Sequence, residues 1–213
     1  MDLYISPLSC SLASRITVYE AGLDARVRFH AVTLMTKLID DGGDYFGVTR
    51  KGRVPALLTD EGQLLTENAA ILQFLADLAP EADLAPPTGT FARSELQQWL
   101  SYVGTELHKY LFAPQFTPDA PEEMRSYCLT KSLPPRFGHL EHVLSDGRDY
   151  LTGAQFTVAD AYLFVVLCWA VHVEVDMTAY PSLMALQGRI ATRPTVARAL
   201  AEDMALREAA TAS

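Results

Sequence analysis

Cysteine is scarce in this chain. Cys10, Cys128 and Cys168 are the only three in 213 residues, an odd number at wide spacings with no C-x-x-C pair. This argues against a disulfide framework and against a zinc site, and no metal is expected; the usage fits a reducing compartment. Basic charge is short as well: 17 Lys and Arg stand against 26 Asp and Glu, a net charge of −9. With no basic run interleaved with aromatics, nucleic acid is not an expected partner. The longest apolar run, AYLFVVLCWAV at 161–171, falls short of the roughly 20 residues that a membrane span needs, so it reads as a core helix and no membrane partner is expected. The opening MDLYISPLSC lacks the charged and apolar regions of a signal peptide, and a cytoplasmic location follows by default. Internal repeats and low-complexity segments are also missing.

What the chain does have is apolar surface to bury. At 49% hydrophobic and 20% charged residues, it can form one large core or two modest ones. The first 80 residues alternate in period: DLYIS is a short β run, SLASRITVYEAG has helical spacing ended by Gly22, and ARVRFHAV alternates as a strand. After an irregular stretch at 36–52, VPALLTD and QLLTE flank a Glu-Gly turn and read as a hairpin, followed by the helix ENAAILQFLADLA. The order is β-α-β, loop, β-β-α. Residues 81–90, within PEADLAPPTGT, form the natural linker. From 91 to 213 the pattern is helical, with segments at about 91–112, 121–145, 157–175, 182–193 and 195–209.

Four stretches carry candidate chemistry. In SPLSCSLASR, Cys10 stands where a strand gives way to a helix, over backbone N–H groups and the positive end of a helix dipole that stabilise a thiolate. The alternative is a small buried residue, and position leaves both open. In GRVPALL, Pro55 cannot donate to a ladder and belongs at a strand start. If the Val54–Pro55 bond is cis, the Val54 backbone can pair with an extended peptide-like ligand. In TENAAIL, Glu67 and Asn68 open a helix and together suit an amino-acid zwitterion, or else an ordinary N-cap with a first-turn acid. In TVADAY, Thr157 and Asp160 have capping-box spacing, and folding rather than chemistry is expected to depend on them. His108 and Lys109 lie late in the first helix of the helical part, where an imidazole could meet a thiolate or a ligand carboxylate. His30, His139, His142 and His172 are read as structural or surface groups.

Taken in order, SPLSCS, KGRVPAL, TENAAI and TVADAYLF resemble a cytosolic glutathione transferase over essentially the whole chain, and the SCS turn with ELHK resembles the bacterial beta class. The resemblance implies an α/β plus all-α fold: a thioredoxin-like N-terminal domain over 1–80, the linker at 81–90, and a helical-bundle C-terminal domain over 91–213. It implies glutathione as co-substrate in the cleft between the domains, a small electrophile as second substrate, a homodimer, and Pro55 as the family's cis-proline, with Val54 pairing the cysteinyl part. It matches Cys10 to the cysteine that lies beside the glutathione sulfur and can form a mixed disulfide with it. His108 matches the supporting histidine, and Ser9 and Ser11 become hydroxyl donors to the thiolate. Glu67 and Asn68 would hold the γ-glutamyl group, with Lys37, Arg53, Ser101 and Lys109 near the rest of the ligand. The chain departs from the family pattern in VTRKG, in Asn68 where Ser is common, in Ser101 where Asn can occur, and in Ile5 for a frequent Tyr. The activity implied is conjugation of the glutathione thiol. The alternatives are thiol-disulfide exchange through Cys10 alone, since Ala13 replaces a second cysteine, and a non-enzymatic binding module.

Overall fold

A computed structural model describes residues 1–212, with side-chain surroundings through residue 210. The chain forms two compact units: one from Met1–Leu84 together with the chain from Arg193 on, the other Ala85–Thr192.

The first unit is built on a five-stranded sheet. Its strands β1 (Asp2–Ile5), β2 (Arg28–Thr33), β3 (Leu38–Ile39), β4 (Ala56–Leu58) and β5 (Leu64–Thr66) lie in the order β3-β2-β1-β4-β5. The β1–β2 pair is parallel, joined through helix α1 (Ser11–Glu20); the others are antiparallel. This is the thioredoxin-like arrangement. The β4–β5 hairpin closes where expected, with Gly62 at φ 78° in its turn, a conformation that glycine adopts without steric cost. Helix α2 (Asn68–Asp77) follows directly and packs on α1.

Central strand β1 is covered on both faces. Leu3 and Ile5 are fully buried, as are Ile16 of α1 and Ile71, Leu72 and Leu75 of α2. Tyr4 points the other way into a separate cluster with Val32, Ile39, Tyr45 and Ala56. Each large apolar side chain so buried contributes roughly 1.5–3 kcal/mol. The stretch expected to be irregular, 36–52, supplies that second cover. It contains β3 and a single tight turn at Tyr45–Gly47, and the Tyr45 ring sits 5.6 Å from Tyr4. Two residues are too few to show a period-2 pattern, which is why sequence spacing does not reveal β3.

The second unit is helical: α3 (Phe91–Tyr102), α4 (Ala113–Phe116), α5 (Glu122–Tyr127), α6 (Leu133–Leu144), α7 (Val158–His172) and α8 (Pro181–Ala191). Two π-helical stretches interrupt the regular turns, Val103–Phe112 between α3 and α4 and Cys128–Ser132 ahead of α6. The second precedes Pro134 and Pro135, which bring no backbone N–H to the first turn of α6. Helix α7 is buried nearly all round, the mark of a central core helix. Its capping box is formed: Asp160 Oδ2 accepts from the Thr157 N–H at 2.9 Å and from its hydroxyl at 2.7 Å, while Oδ1 accepts from the Leu151 N–H at 2.8 Å. Burial pushes the Asp160 carboxyl up to about 6 against those hydrogen bonds.

The last helix, α9 (Pro194–Ala212), lies against α1 in the first unit, whereas the sequence reading groups it with the helical bundle. Among the described residues no helix is long and apolar enough to cross a membrane, and no group of three or more His, Cys, Asp or Glu could hold a metal ion.

Candidate active site

Register gathers most of the expected residues of the first unit at one end of its sheet. Because β1 and β4 run antiparallel with Tyr4 opposite Ala56, the turn leaving β1 lies beside the residues that lead into β4. Ala56 is in turn opposite Thr66, so Glu67 and Asn68 emerge at the same end. Strand β2, parallel to β1, delivers Thr33 there too, a few residues before Lys37.

The turn from Ser6 to Cys10 is tied by serines. Ser9 Oγ donates to the Ser6 carbonyl at 2.8 Å, the Ser11 hydroxyl accepts from the Ser6 N–H at 3.0 Å, and the two hydroxyls are 2.8 Å apart. Ser11 is fully buried. Both hydroxyls are thus engaged in shaping the turn, where the sequence reading has them as donors to a thiolate. Cys10 is 8% exposed. Its Sγ donates to the Val54 carbonyl at 3.3 Å, a role only the S–H form can fill. The amides at the start of α1 point elsewhere: Ser11 N–H reaches Ser9 Oγ at 3.3 Å and Ala13 N–H reaches the Cys10 carbonyl at 3.2 Å.

The Val54–Pro55 peptide is cis, Pro55 is buried and Arg53 exposed. The Arg53 carbonyl is held by the buried Tyr45 hydroxyl at 2.8 Å. Lys37 Nζ donates to the Gly52 carbonyl at 2.9 Å, and burial followed by the nearby Arg53 charge lowers its pKa. Lys37 therefore braces the loop ahead of Pro55.

At the start of α2, Asn68 is buried. Its Oδ1 accepts from the Ser14 hydroxyl at 2.8 Å, while its Nδ2, also buried, has no hydrogen-bond partner among the described residues. A buried amide N–H₂ in that state is an unmet donor. Glu67 Oε1 meets Lys51 Nζ at 2.6 Å in an exposed pair, and Lys51 also reaches the Thr66 hydroxyl at 2.9 Å. Leu8 (φ 56°), in the turn that carries Cys10, and two of the site residues, Lys37 (61°) and Glu67 (74°), are non-glycine residues at positive φ, and such strain is often stored at functional sites.

In the helical unit, His108 lies in the π-helical stretch, a feature frequent at functional positions. Its Nδ1 shares a 2.6 Å hydrogen bond with the Tyr162 hydroxyl, and its ring packs edge-on to Trp169 at 4.9 Å. Burial first, then the neighbouring Lys109, depresses its pKa to about 3, so the imidazole is neutral at pH 7. Lys109 and Ser101 are exposed.

Sequence reasoning missed Lys51, Ser14, Tyr45 and Tyr162. Each meets its partner across 8 to 54 residues of chain, and no local spacing signals a contact of that kind.

The glutathione S-transferase N-terminal domain family matches residues 9–78, and the glutathione S-transferase C-terminal domain family matches residues 105–203. Glutathione S-transferase GstA of Escherichia coli O157:H7 is 42% identical over 203 residues, 95% of this chain and 98% of that protein. Among solved structures, a ternary complex of BphK, a bacterial GST, superposes with a TM-score of 0.90 at 43% identity, covering 95% of this chain and 99% of the other. A sphingomonad glutathione S-transferase complexed with glutathione gives 0.89 at 41% identity, over 95% and 98%. The beta-class enzyme of Sphingomonas chungbukensis gives 0.90 at 44%, over 95% and 98%.

Proposed function

The chain belongs to the glutathione S-transferase family, and from that membership we propose that it conjugates glutathione to small electrophilic, mostly hydrophobic substrates. The juxtaposition that carries the reading lies in the first unit. A thiol (Cys10), a strand-leading carbonyl (Val54) and a helix start with an unmet buried donor (Asn68 Nδ2) share one end of one sheet. A γ-glutamyl peptide has matching parts: an α-carboxylate for Asn68 Nδ2 and the α2 N-terminus, an α-ammonium for Glu67, and a peptide backbone for Val54.

We assign Cys10 to the neighbourhood of the glutathione sulfur, with Ser9 and Ser11 holding its turn and Pro55 fixing the strand start. Lys37 and Arg53 serve the glycyl end, Lys37 by keeping its loop in place. From the helical unit we assign His108 as the supporting imidazole and Ser101 and Lys109 as outer ligand contacts. In the reaction the glutathione S–H bond breaks and its proton passes to solvent. The sulfur lone pair then forms the new C–S bond while the bond from that carbon to its leaving group breaks and its electron pair departs with the group, or while a carbon–carbon π bond breaks and its pair takes up a proton on the adduct. No metal enters this chemistry. We further propose a homodimer acting in the cytoplasm, as the sequence resemblance implies, and a sedimenting mass of one chain alone would exclude the dimer.

Titration calorimetry of the reduced protein with glutathione tests the site: saturable binding is expected, and none at millimolar ligand overturns the reading. A second reading rests on the Cys10 thiol itself, since a sulfur in the turn can exchange with a disulfide: its thiolate attacks one sulfur of a glutathione mixed disulfide and expels the other as thiolate. Cys10→Ala should abolish a glutathione adduct by mass spectrometry and only reduce conjugation. Complete loss of conjugation, with disulfide exchange in the native protein, would move exchange to the front.

A further inference from the structure

The turn that carries Cys10 is held from the far end of the chain. Leu8 sits at φ 56°, a left-handed conformation that costs an L-residue about 1–2 kcal/mol. Its N–H donates to Asp203 Oδ2 on α9 at 2.8 Å, across 195 residues, while serines supply the side-chain bonds of the rest of the turn. Asp203 is 1% exposed and Arg15 on α1 4%, and Arg15 Nη1 lies 3.2 Å from Asp203 Oδ1 and 3.3 Å from Glu202 Oε2. The guanidinium also stands 4.6 Å over the Phe29 ring.

This buried pair is poorly explained as a stabilising device. Arg15 Nε and Asp203 Oδ1 have no hydrogen-bond partner among the described residues, and an incompletely satisfied buried ion pair tends to lose more in desolvation than it gains in attraction. Nor is it needed to dock α9. That helix is already anchored to α1 near its start, where Arg193 donates to Glu20 at 2.6 and 2.7 Å and the Thr195 hydroxyl also meets Glu20, and by the Tyr19–Glu202 hydrogen bond. The pair does accomplish one thing: it fixes a carboxylate under the Leu8 amide, two residues from Cys10.

We infer that Asp203, oriented by Arg15, is a positioning residue for the Cys10 turn: its carboxylate holds the strained Leu8 backbone and thereby keeps the Cys10 sulfur aimed at the Val54 carbonyl. The inference rests on the glutathione reading for its functional meaning, but its geometry concerns the thiol alone.

Asp203→Ala, Asp203→Asn and Glu20→Gln in the full chain test it. Three readouts are taken for each: melting temperature, the iodoacetamide alkylation rate of Cys10 followed on its own peptide, and glutathione affinity. Losing one charge-assisted hydrogen bond should raise the Asp203→Ala alkylation rate and weaken glutathione binding by roughly tenfold or more. Asp203→Asn, whose amide oxygen still accepts from Leu8, should stay within about twofold of the native protein. Glu20→Gln should lower the melting temperature while leaving Cys10 reactivity unchanged. If Asp203→Ala does not fold, Asp203→Ser, too short to reach Leu8, carries the same expectation. Native reactivity in the truncated side chain, an equal change in Glu20→Gln, or failure of Asn to rescue overturns the inference. If the native protein binds no glutathione, the functional reading fails, and the alkylation contrast still decides the role of Asp203.

Discussion

His108 shows how far burial, helped by the neighbouring Lys109 charge, can move a single residue. Its pKa falls from 6.5 to about 3 on folding, so between those values the unfolded chain binds a proton that the native protein does not. Native stability from this group is complete above pH 6.5 and is lost as pH falls toward 3, by up to about 5 kcal/mol. His108→Phe, which keeps the ring and discards the titration, should flatten this part of the denaturant midpoint against pH, whereas an unchanged acid slope would place the titration elsewhere. Composition and spacing identify the histidine but not its state, because Tyr162 and Trp169 come from another helix. The same holds for Asn68. The sequence marks it as a helix opener, while its half-satisfied amide depends on Ser14, 54 residues earlier.

At the scale of elements, α7 is the clearest case of a helix written locally. Thr157 and Asp160 stand at capping-box spacing ahead of an apolar run, and the box forms as the spacing implies. What spacing does not show is that Asp160 also accepts from Leu151 and is wholly buried. The two substitutions should therefore differ. Thr157→Ala removes a cap and should cost about 1–2 kcal/mol; Asp160→Ala strips acceptors from two buried amides and should cost about 3 kcal/mol. Glutathione affinity of the folded fraction should be unchanged in both, and equal midpoint shifts in urea would show that the Leu151 bond adds nothing. The π-helical stretch around His108 is the opposite case. Leu107, Leu111 and Phe112 are buried from within it, and such apolar spacing fits a regular helix equally well, so the sequence alone reads 91–112 as one uninterrupted helix.

At the scale of the whole molecule, the order of most secondary elements is legible because strands and helices carry distinct periods, two and near 3.6. The destination of the last helix is not. Its buried face consists of Val196, Ala199 and Asp203, a narrow stripe whose third member is charged, so nothing in its pattern sets it apart from the bundle helices. Its partners on α1, Arg15, Tyr19 and Glu20, read in isolation as ordinary polar residues on a helix. The consequence is a first unit assembled from both ends of the chain. A chain ended after Thr192 would uncover Arg15 and Glu20, both nearly excluded from water in the native protein. Both groups would lose their ion-pair partners, and the apolar surface of α1 that α9 covers would lose burial worth roughly 25 cal/mol per Å². Hydrogen exchange should then show lost protection in α1 and β1 while α7 keeps its own. Uniform loss in both units would mean that they unfold as one, and full protection in α1 would show that α9 is dispensable to the fold it covers.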